Sequence, residues 1–221
     1  GLDLNRNFPS HWRPFSMFGM DAGTHPLSEP ESRAVMDAVV ARPNIAAAMT
    51  FHTYTGCILT QPYRKDSPIT DVDIRLMERL AKSAIEGTDY TCYRVCPDFM
   101  YDPARPIPGV WADTLSTVFG LPGYTLELWS PLRYAGVEVE KPFDFFIRPA
   151  PEKVTALLSH FYQQPGAWRA WQPFDHPQLG PVEIGGLEYL RTVRNPPVSE
   201  LAGECERAHT VADRLRRSLP T

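Results

Sequence analysis

The residues that most restrict the fold are Ile45 to Phe51, a nearly continuous apolar run of strand length, closed off by Pro43-Asn44 before it and His52 after it. An apolar run without alternation suits a strand covered on both faces, as in a sheet sandwiched between helices. The flanking sequence supplies such helices. Ser28-Glu29-Pro30-Glu31 reads as a capping box, which predicts a helix from near Ser28 through Val35, Met36 and Val39 to about Ala41. Asp71 caps a second, with Ile74, Met77, Leu80 and Ala81 at helical spacing until Gly87 stops it. Gly109 to Phe119 reads as helix and Gly123 to Leu128 as another buried strand, while Ala150 to Gln163 gathers Val154, Leu157, Leu158 and Phe161 on one helical face. Strands alternate with helices, so the expected class is α/β, a mixed, largely buried β-sheet flanked by helices.

At 221 residues the chain has room for one domain and an appendage. The break is expected at Pro165-Gly166, giving a domain over residues 1–164 and an extension over 165–221. The extension holds Trp168, Trp171, Phe174-Asp175-His176-Pro177, a strand at Val182-Glu183-Ile184 ended by Gly185-Gly186, and an amphipathic helix from Ser199 to Leu219. That helix is expected to bury Leu201, Cys205, Ala208, Ala212, Leu215 and Leu219. A net charge of −4 gives no electrostatic preference for nucleic acid or for an anionic membrane, and no apolar run is long enough for a membrane span. Cys57, Cys92, Cys96 and Cys205 are irregularly spaced and read as reduced thiols. Gly1 leads straight into patterned sequence with no leader in view, so a cytoplasmic location is the default expectation.

Three places invite chemistry. His52 follows a buried strand, where open α/β sheets gather ligands, and a neutral imidazole is a good zinc donor; the alternative is a merely hydrogen-bonded strand-end histidine. Glu127 lies inside Tyr124-Thr125-Leu126-Glu127-Leu128, where a carboxylate needs compensation. It is either a general base or a structural partner of an arginine such as Arg133. Arg6, set between Asn5 and Asn7 and preceded by Asp3, offers a planar fork for a terminal carboxylate with an asparagine amide as second donor; the alternative is an arginine held by Asp3 in a turn.

In order, Asp3-Leu4-Asn5-Arg6-Asn7-Phe8-Pro9, then His52-Thr53-Tyr54, then Tyr124-Thr125-Leu126-Glu127-Leu128 resemble the M14 family of zinc metallocarboxypeptidases, the first motif in the form common among its bacterial and regulatory members. The resemblance spans residues 1 to about 136. It implies that Asn5 and Arg6 bind the carboxylate of a peptide with a free C terminus, that Asp3 orients a zinc-bound histidine, that His52 is one ligand of a single Zn2+, and that Glu127 is the general base. Gly109 to Asp113 matches the segment lining the pocket for the last side chain. Asp113 falls on a commonly acidic position, and Ala112 on the selecting position, which favours a small or apolar terminal residue. The substrate-capping tyrosine is assigned to Tyr101, since its ungapped position holds Arg105. The family's His-x-x-Glu motif would lie before Gly1, so the fold is expected to be incomplete at its N-terminus and the isolated chain to bind zinc poorly. The related alternatives are a murein-peptide amidase or acyl-amino-acid hydrolase of the same zinc chemistry, and a non-catalytic peptide-binding remnant. The segment Phe174 to Gly186 is similar to an extension found in some bacterial members and is read as structural.

Overall fold

A computed structural model describes residues 1–17, 19–102 and 104–219. The chain divides into two compact units, one of Gly1–His52, Cys57–Glu127 and Arg207–Thr221, the other of Thr53–Gly56 and Leu128–Glu206.

The first unit opens with a 3-10 turn, Leu4–Arg6, followed by a minimal hairpin of β1 (Ser16–Met17) and β2 (Met20–Asp21). Its centre is a four-stranded mixed sheet in the order β3 (Ala48–Thr53), β6 (Gly123–Leu128), β4 (Cys57–Thr60), β5 (Thr91–Arg94). β4 pairs antiparallel with β6, Cys57 opposite Glu127 and Leu59 opposite Thr125, and parallel with β5. Side chains alternate across a sheet, so Tyr124 and Leu126 share one face with Ile58, whereas Thr125 and Glu127 share the other with Cys57 and Leu59. Helix α2 (Asp71–Ala84) covers the first of these faces. Tyr124 donates its hydroxyl to the Met77 carbonyl at 3.3 Å, and Arg94 pairs with Glu78. Glu127 therefore points away from α2.

The helices adjust the sequence reading at their ends. Helix α1 spans Pro30–Val40, and its N-cap is Glu29, with no side-chain cap bond. Ser28 does not close a capping box because its hydroxyl is engaged by the Asn7 amide and by Glu29. For α2 the capping side chain is Thr70, one residue before Asp71, and its hydroxyl accepts from the Asp73 N–H. Between β5 and β6 lie the single turn α3 (Val95–Asp98), the Pro-rich loop, and α4 (Trp111–Phe119), which ends on Gly120 in the left-handed conformation. β3 starts three residues later than expected and takes in His52, and it is half-buried rather than covered on both faces, Phe51 being 52% exposed. As the end strand of the sheet it has a neighbour on one side among the described residues.

In the second unit the short helices α5 (Pro131–Tyr134), α6 (Pro142–Ile147) and α7 (Pro151–Tyr162) enclose a core of Leu132, Val137, Phe145, Leu157, Phe161, Ala167 and Val193. β7 (Trp168–His176) and β8 (Gly180–Leu187) form a largely exposed antiparallel hairpin, of which the sequence pattern showed only the second strand. Helix α8 (Val198–Arg217) closes the chain, and the face it buries differs from expectation: Glu204, Ala208, Val211 and Leu215 are buried, while Leu201 is 49% exposed and Cys205 is exposed. All four cysteines are free thiols. Among the described residues no helix is long and apolar enough to cross a membrane.

Candidate active site

The 3-10 turn at the start of the chain builds the first part of the site. Asp3 caps it by accepting the Asn5 N–H at 2.9 Å, and its own N–H is held by the Asp21 carbonyl. Its other carboxylate oxygen lies 3.8 Å from Arg6 Nε, close enough for Coulombic attraction but too far for a hydrogen bond. Arg6 is buried. One end of its guanidinium donates to the Asn5 carbonyl at 2.7 Å and its plane lies over the Phe15 ring at 5.3 Å, while Nε–H is buried without a hydrogen-bond acceptor. Asn5 Oδ1 accepts the Trp111 N–H at 2.9 Å, which ties the turn to the first residue of α4 and turns the donor end of the amide away from that helix.

Gly109 makes this docking possible. Its φ is +63°, and a Cβ there would sit 2.0 Å from the Arg6 carbonyl oxygen, so the Pro-rich loop meets the turn backbone to backbone. Phe8 N–H donates to the Gly109 carbonyl and Gly109 N–H to the Ser10 carbonyl, which locks residues 6–10 against the start of α4. Within α4, Ala112 is fully buried and its carbonyl packs against Gly123, the first residue of β6. Asp113 is 2% exposed and accepts from the Ser10 hydroxyl at 2.6 Å and the Gln61 amide at 2.9 Å. Tyr101 stands half-buried in the Pro-rich loop.

Gln61 and Tyr63, which the sequence patterns did not single out, join these parts. Gln61 is fully buried at the end of β4 and accepts the Tyr63 N–H through the oxygen end of the amide that serves Asp113. The Tyr63 hydroxyl comes within 3.5 Å of Thr125 Oγ1, on the Glu127 face of the sheet. Burial pushes the Tyr63 phenol well up from its ordinary value; the negative charges of Asp113 and Glu127 raise it further, and the Thr125 hydrogen bond and Arg6 oppose them. Tyr63 thus feels Arg6, Asp113 and Glu127 at once. Nothing in the local sequence marks it except its place just after β4.

β6, which carries Glu127, and β3, which carries His52, are neighbours in the sheet. Glu127 is 9% exposed and His52 half-buried. A catalytic zinc takes three protein ligands. Among the described residues no three His, Cys, Asp or Glu side chains are placed together to hold an ion, so these residues do not form a zinc site by themselves.

The class these features define is a mixed α/β domain with a buried arginine in its opening turn and a histidine and a carboxylate on neighbouring strands. Residues 1–149 match the family Peptidase_M14, zinc carboxypeptidase, and the chain belongs to that family. It is similar to carboxypeptidase O of Bos taurus, 28% identical over 173 residues, and to carboxypeptidase O of Homo sapiens, 29% identical over 171. The matches cover 74% and 73% of this chain, which spans about half, 45%, of each relative's length. Among solved structures it is similar to bovine thrombin-activatable fibrinolysis inhibitor in complex with tick carboxypeptidase inhibitor, with 23% identity, a TM-score of 0.47, and 72% of this chain and 55% of that one covered. It is also similar to carboxypeptidase A from Helicoverpa armigera, with 21% identity, a TM-score of 0.45 and coverages of 72% and 41%.

Proposed function

We propose that this chain supplies the substrate clamp, the general base and one metal-donor histidine of a metallocarboxypeptidase that removes the last residue of a peptide. Residues 1–164 are then the C-terminal two-thirds of the catalytic domain and 165–221 an extension, a division supported by a family match that ends at residue 149. The observation that carries the reading is Arg6. A buried guanidinium with an unmet Nε–H is costly unless a ligand completes it, and a terminal carboxylate is the planar two-oxygen acceptor that fits. Asn5 adds a second donor, its orientation set by Trp111.

With the carboxylate held there, the last peptide bond lies towards the Glu127 face of the sheet. Glu127 takes a proton from the attacking water and returns it to the leaving amine nitrogen. Ala112 at the wall favours a small or apolar last side chain, Asp113 holds that wall through Ser10 and Gln61, and Tyr101 closes over the substrate. His52 is one imidazole donor to zinc, with Asp3 orienting a metal-bound histidine. With one such donor in hand the isolated chain binds zinc weakly and turns over slowly, so the ratio between variants decides. In zinc-supplied protein, Glu127→Gln is expected to lower release of the C-terminal residue about a hundredfold. A rate that this substitution leaves unchanged rejects the assignment.

A further inference from the structure

Two residues beyond Glu127 the backbone takes a conformation that bulky side chains avoid. Trp129 has φ +58°, in the left-handed region, and is 3% exposed. For an L-residue of this size that conformation costs about 1–2 kcal/mol and persists only where the surroundings hold it. Here they hold it at three points. The Trp129 N–H donates to Glu204 Oε1 on α8 at 2.8 Å. The indole Nε1–H donates to the Thr192 carbonyl at 3.0 Å, and the ring packs on Tyr134 with centroids 5.0 Å apart. Glu204 is 5% exposed and Thr192 is 1% exposed, so both bonds are made out of water.

Thr192 and Glu204 lie beyond residue 149, where the family match ends. We infer that Glu204 is a positioning residue: by fixing the N–H of Trp129 it holds the end of β6, and through it the direction of the Glu127 side chain. The inference rests on the reading of Glu127 as the base, and it links a residue beyond the family match to the end of the strand that carries that base. The left-handed residue after Leu128 ends the strand at a set position, and a strand that slips or frays there re-aims the side chains just before it.

The test does not depend on turnover, so it stands apart from the test of the proposed activity. In the full chain, amide exchange at Trp129 and the 13C-detected titration of the Glu127 carboxyl are compared for the unsubstituted protein, Glu204→Ala and Glu204→Gln. Glu204→Ala is expected to speed Trp129 exchange about tenfold or more and to move the Glu127 midpoint by about half a pH unit, whereas Glu204→Gln, which keeps an acceptor oxygen, stays close to the unsubstituted protein on both. Should the alanine variant not fold, Glu204→Asp, which draws the carboxylate back by one methylene, takes its place with the same expectation at smaller size. Faster exchange with an unmoved Glu127 titration makes Glu204 a cap for Trp129 alone and overturns the inference. So does unchanged exchange, and so does a glutamine variant that behaves like the alanine one.

Discussion

At the scale of single residues, the site depends on polar groups that are buried and nearly all spoken for. Asp113 is the clearest case. Replacing it by alanine strands the Ser10 hydroxyl and the Gln61 amide, and thermal or denaturant unfolding is expected to show a loss of about 2–4 kcal/mol. Asn7 is fully buried and its amide holds the Ala22 carbonyl and the Ser28 hydroxyl, so Asn7→Ala is expected to lose about 1–3 kcal/mol by the same measurement. The thiols separate by environment. Cys92 is pushed up to about 11 by burial and the nearby Glu78 charge, and Cys205 is exposed. A disulfide reagent at pH 8 is therefore expected to label Cys205 first, and Cys205→Ser to remove the fast phase. The motif residues Asp3, Asn5, Arg6, His52 and Glu127 were legible because each sits in a short run of unusual residue types. Gln61 and Tyr63 were not, since their role comes from where β4 ends and what faces it across the sheet.

Among the elements, the sequence was clearest where one face is apolar and the ends are marked. Gly123–Leu128 is found as expected, and α4 stops at a glycine that supplies the left-handed residue its end requires. The four-residue β4 and β5 left no such mark, because they are short and β5, at the sheet's edge, carries polar Thr91 and Arg94. On α8 the expected apolar stripe shares Ala208 and Leu215 with the true one but is rotated from it by roughly 50°, half a residue's turn. The cause is Glu204, a buried carboxylate that no hydrophobic pattern reveals. α2 gives a pH prediction. Hydrogen bonds from Lys82 and Arg94 hold the Glu78 carboxyl below its ordinary value of 4.5. A depressed carboxyl stabilises the fold above its unfolded value and loses that contribution as pH falls through the folded one. The melting-temperature gap between the unsubstituted protein and Glu78→Gln is thus expected to be present at pH 7 and to narrow as the pH falls below 4.5.

Across the molecule, each end of the described chain is fixed by close buried contacts. The opening turn, wedged under Gly109, presents Arg6, and α8 reaches the residue that follows β6. The first lies within the residues matched by the family and the second beyond them. The zinc chemistry of the family asks for more donors than the described residues bring together, so the proposed carboxylate clamp is the part of the reading that can be tested on this chain by itself. Calorimetric titration with an N-blocked dipeptide ending in alanine, compared with its C-terminal amide, measures that clamp directly. The account predicts that the free carboxylate binds at least about tenfold tighter than the amide and that Arg6→Lys, which keeps the charge but loses the fork, removes most of the difference. Equal binding of acid and amide, or a preference that survives the loss of Arg6, would contradict it.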